Sequence, residues 1–167
     1  MWFFMYICYG MSFLTFLFLC TAFLQSFLHF HVLLANHVAF MILTSILYCF
    51  TETLIIFFYV GTGVSVKEYT QEHHLPSTFH KNSIAIKRKI YPPLLLNLLF
   101  MVVLFVTVGA VDTQRLPAWV YQVGFLICIA DYVRVKWIQN ECFRENTKNI
   151  LEMSGIADHS LCSSSAR

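Results

Sequence analysis

Residues 48–63 read YCFTETLIIFFYVGTG, and they place one carboxylate, that of Glu52, inside a run of apolar and hydroxyl-bearing side chains. About 20 mainly apolar residues are enough to cross the hydrocarbon core of a bilayer as a helix. An ionised side chain at that depth costs at least about 2.5 kcal/mol on insertion scales, so it faces other protein groups rather than lipid. The stretch therefore predicts a membrane helix in which Glu52 has a polar partner.

The composition of the whole chain agrees with a membrane location. Hydrophobic residues make up 58% of the 167 residues and charged residues 12%, whereas an ordinary soluble domain has about 25% charged residues. Seventeen Phe are more apolar aromatic surface than a small soluble core can bury, so part of it must face lipid or another membrane subunit. No basic face of the kind that binds nucleic acid is present, and we expect no nucleic-acid partner.

Four stretches are long and apolar enough to span a bilayer, at about 2–28, 38–60, 93–111 and 117–135. None alternates with the period of two that marks a membrane barrel strand. Only helices and closed barrels satisfy their backbone groups inside hydrocarbon. We therefore predict an all-α integral membrane protein with four transmembrane helices in a domain over 1–154, followed by a short polar tail over 155–167.

The connections between the predicted spans differ in length. Short turns join helix 1 to helix 2 and helix 3 to helix 4, whereas residues 61–91 predict a long polar loop. Pro92 and Pro93 suit the start of helix 3, because proline lacks an N–H that the first helical turn leaves unbonded anyway. Helix 4 is expected to extend beyond the membrane to about residue 153 and to end at Gly155.

The distribution of Lys and Arg predicts the orientation. Five lie in the predicted loop 61–91 and five between Arg134 and the end, against Arg115 alone in the turn before helix 4 and none between helices 1 and 2. Positive charge accumulates on the cytoplasmic side. Both termini and the long loop are therefore predicted to be cytoplasmic, in a bacterial inner membrane or an equivalent energy-converting membrane.

A few polar residues within the spans are the first candidate site. Glu52 and Asp131 lie at comparable depths, and Arg134 follows Asp131 by three residues, on the same helical face. We predict that both carboxylates share Arg134, with Asn97 as a hydrogen-bond donor, and that this polar cluster links helices 2 and 4. The alternative is a proton or cation path, for which two carboxylates at matched depth are suitable.

Three histidines at the predicted outer surface are the second candidate site. His29 and His31 end helix 1, and His37 begins helix 2. Imidazoles ligate haem b or a metal, or donate a hydrogen bond to a quinone carbonyl. Ordinary histidines at a membrane surface are the simpler interpretation of the pattern, which identifies no metal.

No nucleophile and base are arranged for catalysis in the sequence. We therefore expect a non-catalytic membrane subunit that anchors, assembles or stabilises a larger complex, such as a bioenergetic one. Membrane lipid and other membrane subunits, or further copies of the chain, are its expected partners. A small haem- or quinone-binding redox protein and a small ion- or proton-coupled transporter are the alternatives.

Overall fold

The computed structural model describes residues 2–28 and 36–165, with side chains described at 3–28, 36–117 and 119–155. Four α-helices follow along the chain: α1 Trp2–Leu28, α2 His37–Glu72, α3 Thr78–Asp112 and α4 Ala118–Ser165. No strand occurs in these residues, so the all-α prediction is confirmed for them. Helices α1, α2 and α3 are each long and apolar enough to cross a membrane.

The chain divides into two compact units, and the divisions fall within α2, α3 and α4. The first unit comprises Met1–Ile55 and Pro93–Lys136, and the second comprises Ile56–Pro92 and Trp137–Arg167. The first unit thus contains the apolar parts of the helices, whereas most of the charged residues belong to the second.

The first unit has a core rich in aromatic side chains and an apolar exterior. Its exterior includes Phe3, Phe13 and Phe27 on α1, each at least half exposed. Such a surface is far more apolar than that of a soluble monomer, and it is compatible with insertion in a membrane. The buried cluster draws on all four helices and consists of Leu19, Ala22, Phe40, Met41, Tyr48, Met101, Leu104, Val108, Tyr121, Phe125, Cys128 and Tyr132.

The second unit is held together by contacts between the polar parts of α2, α3 and α4. The ring of Phe143 lies 5.0 Å from that of Phe58 and 5.3 Å from that of Tyr59, between ring centroids. Farther along the helices, Val66, Phe79 and Met153 form a small buried cluster. These contacts give the polar helical segments a core of their own.

The predicted loop over 61–91 is wrong in conformation. Helix α2 does not end near residue 60 but continues to Glu72, and α3 begins at Thr78, so only residues 73–77 separate them. Polar residues such as Gln, Glu and Lys have good helix propensity, and the apolar cluster of the second unit gives these segments a face to bury. The prediction is wrong because residues 61–91 become polar without ceasing to be helical, apart from the turn at 73–77.

The proline pair was also misplaced, because Pro92 and Pro93 lie inside α3 rather than at its start. A proline in a helix interior removes a backbone hydrogen bond at a cost of roughly 3 kcal/mol or more. The flanking Ile90 and Leu94 are fully buried. Packing on both sides of the pair therefore stabilises the helical conformation that the prolines disfavour.

The turns after α2 and α3 share one capping arrangement. His74 and Gln114 adopt positive φ values of 51° and 56°. The following residues, Leu75 and Arg115, donate backbone hydrogen bonds back to Thr70 and Ala110, 3.0 and 2.9 Å away. These bonds satisfy carbonyl groups that a helix end leaves without partners. Helix α4 has no such stop at Gly155 and continues to Ser165, beyond its predicted end.

Candidate functional site

Glu52 is fully buried and forms an ion pair with Lys136. Its Oε1 lies 2.7 Å from Nζ of Lys136, whose side chain is 18% exposed. The same ammonium lies 4.8 Å from the ring centroid of Tyr132, within range of a cation–π contact. Glu52 on α2 is thereby joined to α4 by a short, charge-assisted hydrogen bond.

Asp131 belongs to a separate hydrogen-bonded chain. Its Oδ2 accepts a hydrogen bond of 3.0 Å from Nδ2 of Asn97 on α3. The Tyr48 hydroxyl on α2 donates in turn to Oδ1 of Asn97. Because Tyr48, Asn97 and Asp131 are all buried, this chain links α2, α3 and α4 within the first unit.

Arg134 contacts only one of the two carboxylates. Its Nη1 lies 3.7 Å from Oδ1 of Asp131, and its side chain is 68% exposed. Among the described residues no ion pair joins it to Glu52, whose partner is Lys136. The predicted sharing of Arg134 by both carboxylates is therefore wrong, although the predicted proximity of Asp131 to Arg134 and Asn97 is found.

Helix α1 adds uncharged hydrogen bonds on the buried side. The hydroxyls of Thr15 and Thr51 lie 2.8 Å apart, and the Tyr132 hydroxyl donates to the backbone carbonyl of Ser12 over 2.8 Å.

The second carboxylate oxygen of Glu52, Oε2, is buried and has no hydrogen-bond partner among the described side chains and backbone. One oxygen of the buried carboxylate thus has a charged hydrogen-bond partner, and the other has none among the described residues.

A cavity lies beside His37, at the start of α2. Nε2 of His37 is 2.9 Å from the hydroxyl of Tyr121 on α4, and the cavity has a volume of about 380 Å³. His29 and His31 lie outside the described residues. The cavity is lined by Asn36, His37, Val38, Val108, Val111, Asp112 and Tyr121.

The second unit carries an exposed charge cluster. Nζ of Lys89 lies 3.0 Å from Glu141 and 2.9 Å from Glu145. The hydrogen bonds that Lys89 donates to Glu145 and Glu141 raise the pKa of Lys89 above its usual value. Over the described ranges, no group of three or more His, Cys, Asp or Glu is arranged to hold a metal ion.

Lys136 and Tyr121 are the site residues that sequence reasoning missed. Steps of three and four residues from Tyr121 lead through Phe125, Cys128 and Tyr132 to Lys136, so these residues share one helical face. Arg134 lies off that face. The spacing on α4, rather than the depth of each charge, was the signal that identifies the partner of Glu52.

No protein family, curated protein or solved structure matches the chain.

Proposed function

We propose that this chain is a four-span integral membrane protein with both termini on the cytoplasmic side, and that it serves as a non-catalytic subunit of a larger membrane complex. Three apolar helices support the membrane location directly.

Two tryptophans support a fourth span in α4. Trp119 and Trp137 are 64% and 78% exposed, and their separation of 18 positions corresponds to about 27 Å along a helix. Tryptophan is enriched at both membrane surfaces, and the hydrocarbon core is about 30 Å thick. This spacing along the sequence supports a membrane crossing by α4, with Arg134 three positions before Trp137.

The charge distribution supports the orientation. The parts of α2 and α3 between residues 61 and 91 carry five Lys or Arg, as does the chain from Arg134 onwards. Arg115 is the single basic residue in the turn before α4. Correcting the loop to a pair of helical segments leaves the argument unchanged, since the positive-inside rule counts charges rather than conformation.

The Glu52–Lys136 ion pair is the observation that best supports a structural role. A transport path requires carboxylates that exchange ions or protons with a polar lining, whereas here one carboxylate is neutralised by Lys136 and the other is held by Asn97. Such pairing joins neighbouring helices and sets their register. This pairing of the buried carboxylates supports a structural role over a transport path.

The apolar exterior and the second unit support a role in assembly. The exposed aromatic side chains of α1 suit contact with lipid or with a neighbouring membrane subunit. The second unit has its own packed core around Phe143. It therefore offers a rigid helical surface for attachment of a partner outside the hydrocarbon.

The test is purification of the tagged full chain from its native membrane in mild detergent, followed by mass spectrometry and an absorption spectrum. We expect companion membrane proteins in fixed stoichiometry and no haem absorption. A chain that purifies alone as a monomer contradicts the subunit role. A Soret band that disappears in His37→Ala favours the haem-binding alternative, which stays a prediction because His29 and His31 lie outside the described residues.

Ion or proton handling is the second candidate function. It is favoured by Oε2 of Glu52, a buried oxygen that has no hydrogen-bond partner among the described residues. Its test is ion or proton flux in proteoliposomes that contain the purified chain. Flux abolished by Glu52→Gln in a folded protein supports the transporter. Absence of flux in the wild-type protein, together with loss of a companion protein in Glu52→Gln, supports the structural role.

A further inference from the structure

The cavity beside His37 has the size and chemistry of a small-molecule site. Its volume of about 380 Å³ lies in the range of roughly 300–1,000 Å³ typical of ligand pockets. Val38, Val108 and Val111 give it apolar walls. Its polar lining residues are Asn36, His37, Asp112 and Tyr121, of which His37 and Tyr121 lie within hydrogen-bond distance of each other. Polar groups placed in this way orient a ligand in a pocket.

The His37–Tyr121 pair is held in place by its surroundings. The two rings lie 5.5 Å apart in an edge-to-face arrangement, and Tyr121 packs against the fully buried Phe125 at 5.4 Å. A phenol can accept one hydrogen bond and donate another. In the tautomer that carries a hydrogen on Nε2, His37 donates to the phenol oxygen, and the phenol hydrogen can point to an oxygen of a ligand.

We propose that this cavity binds a quinone, with a ring carbonyl accepting a hydrogen bond from Tyr121 and the ring lying against the three valines. The exposed Asp112 at the cavity disfavours a phosphate or carboxylate ligand through like-charge repulsion. A quinone is neutral, apolar and carries carbonyl acceptors. The cavity lies at the start of α2 and the end of α3, both of which are apolar enough to cross a membrane.

This proposal concerns ligand binding and is independent of the subunit role. Its test is calorimetric titration of decylubiquinone into the full chain in nanodiscs, with empty nanodiscs subtracted. We expect one saturable site. Tyr121→Phe removes a single hydrogen bond and weakens binding about three- to tenfold, whereas Tyr91→Phe, which removes a hydroxyl outside the cavity, leaves binding unchanged.

A second pair of variants tests the location of the site. Val111→Phe fills the cavity and abolishes binding, whereas Val106→Phe adds the same bulk to an exposed position of the same helix and has no effect. Thermal unfolding shows whether each variant is folded. The proposal is overturned if the wild-type chain shows no saturable site, or if both Tyr121→Phe and Val111→Phe bind as the wild type does.

Parallel titrations distinguish the ligand class. Saturable binding of phosphoethanolamine or of tetramethylammonium that Val111→Phe abolishes, without saturable binding of decylubiquinone, assigns the cavity to a lipid headgroup or an ammonium ligand and rejects the quinone. Failure to bind quinone leaves the co-purification of companion proteins unaffected, so the two proposals fail separately.

Discussion

The ammonium of Lys136 lies 2.7 Å from Oε1 of the fully buried Glu52, whereas Arg134, two residues earlier on the same helix, is mostly exposed. The two cations therefore have different consequences, although they lie at nearly the same depth along α4. Lys136 neutralises a charge that no solvent reaches. Arg134 adds a longer contact to Asp131, which already has Asn97 as a hydrogen-bond donor.

Lys136→Met is expected to destabilise the chain strongly. Removing one partner of a buried ion pair leaves the other charge uncompensated, which destabilises a protein by about 3 kcal/mol. The free energy of unfolding is therefore expected to fall by about that amount. Arg134→Met is the matched control and changes it by less than about 1 kcal/mol, because the Arg134 side chain is mostly exposed and Asp131 keeps its hydrogen bond from Asn97. The measurement is equilibrium unfolding in detergent for each variant.

A double variant separates lost pairing from lost packing. Glu52→Leu combined with Lys136→Met replaces the pair by apolar groups, and buried pairs replaced in this way often keep their stability. We expect the double variant to be more stable than Lys136→Met alone. Equal instability of the two would mean that the side chain of Lys136 acts through its packing rather than its charge.

Gly61 and Gly63 are expected to respond differently to alanine. A Cβ on Gly61 meets open space, whereas one on Gly63 meets the end of the Lys87 side chain. Alanine in a helix is favoured over glycine by roughly 0.5–1 kcal/mol, so Gly61→Ala stabilises by about that amount. Gly63→Ala stabilises less, because Lys87 must move away.

The Lys87→Ala background isolates this contact. Without the lysine side chain, Gly63→Ala is expected to raise the unfolding temperature more than it does in the wild-type background, with the Ser83 hydroxyl, 3.2 Å from the Cβ position, as the remaining close contact. An equal effect of Gly63→Ala in both backgrounds assigns its difference from Gly61→Ala to something other than Lys87.

The sequence predicted the apolar elements well and the polar ones poorly, for a physical reason. The span predicted at 2–28 coincides with α1 because an apolar helix is defined by composition. Residues 61–91 are predicted as a loop but are largely helical, because they pack against α4 in the cluster of Val66, Phe79 and Met153. Single-sequence patterns do not show which distant segment covers an amphipathic face.

The candidate site shows the same limit. Asn97, Asp131 and Arg134 were predicted together from polarity and spacing, and they are in contact. The contact of Lys136 with Glu52 depends on the helical face on which Lys136 lies, and the depth of a residue along the helix does not indicate that face.

The ion pairs of Lys89 with Glu141 and Glu145 are expected to make the stability of the chain depend on salt concentration and on alkaline pH. Glu145 and Glu141 raise the pKa of Lys89, so its contribution is fully present below the unfolded-state pKa of about 10.4 and is lost as pH rises through the folded value. The cluster is exposed, so about 1 M salt also weakens it. Lys89→Gln is expected to lower the unfolding temperature at low salt and to have little effect at high salt.

Lys81→Gln is the control for that experiment, because Lys81 is exposed on the same helix and forms no ion pair within the described residues. It should change the unfolding temperature equally at both salt concentrations. A salt-dependent effect of the same size at both lysines would reflect overall charge rather than the pairing with Glu141 and Glu145.

Labelling of single cysteines tests the four-span topology. In a cysteine-free background, Ser77→Cys in the turn after α2 and Ser154→Cys in α4 are expected to react with a membrane-impermeant maleimide from the cytoplasmic side. Thr113→Cys, in the turn before α4, should react from the opposite side. The physical reason is that crossing α4 between Trp119 and Trp137 places Thr113 and Ser154 on different surfaces. Reaction of both from the same side would show that α4 does not span the membrane, and the chain would then have an odd number of spans with its termini on opposite sides.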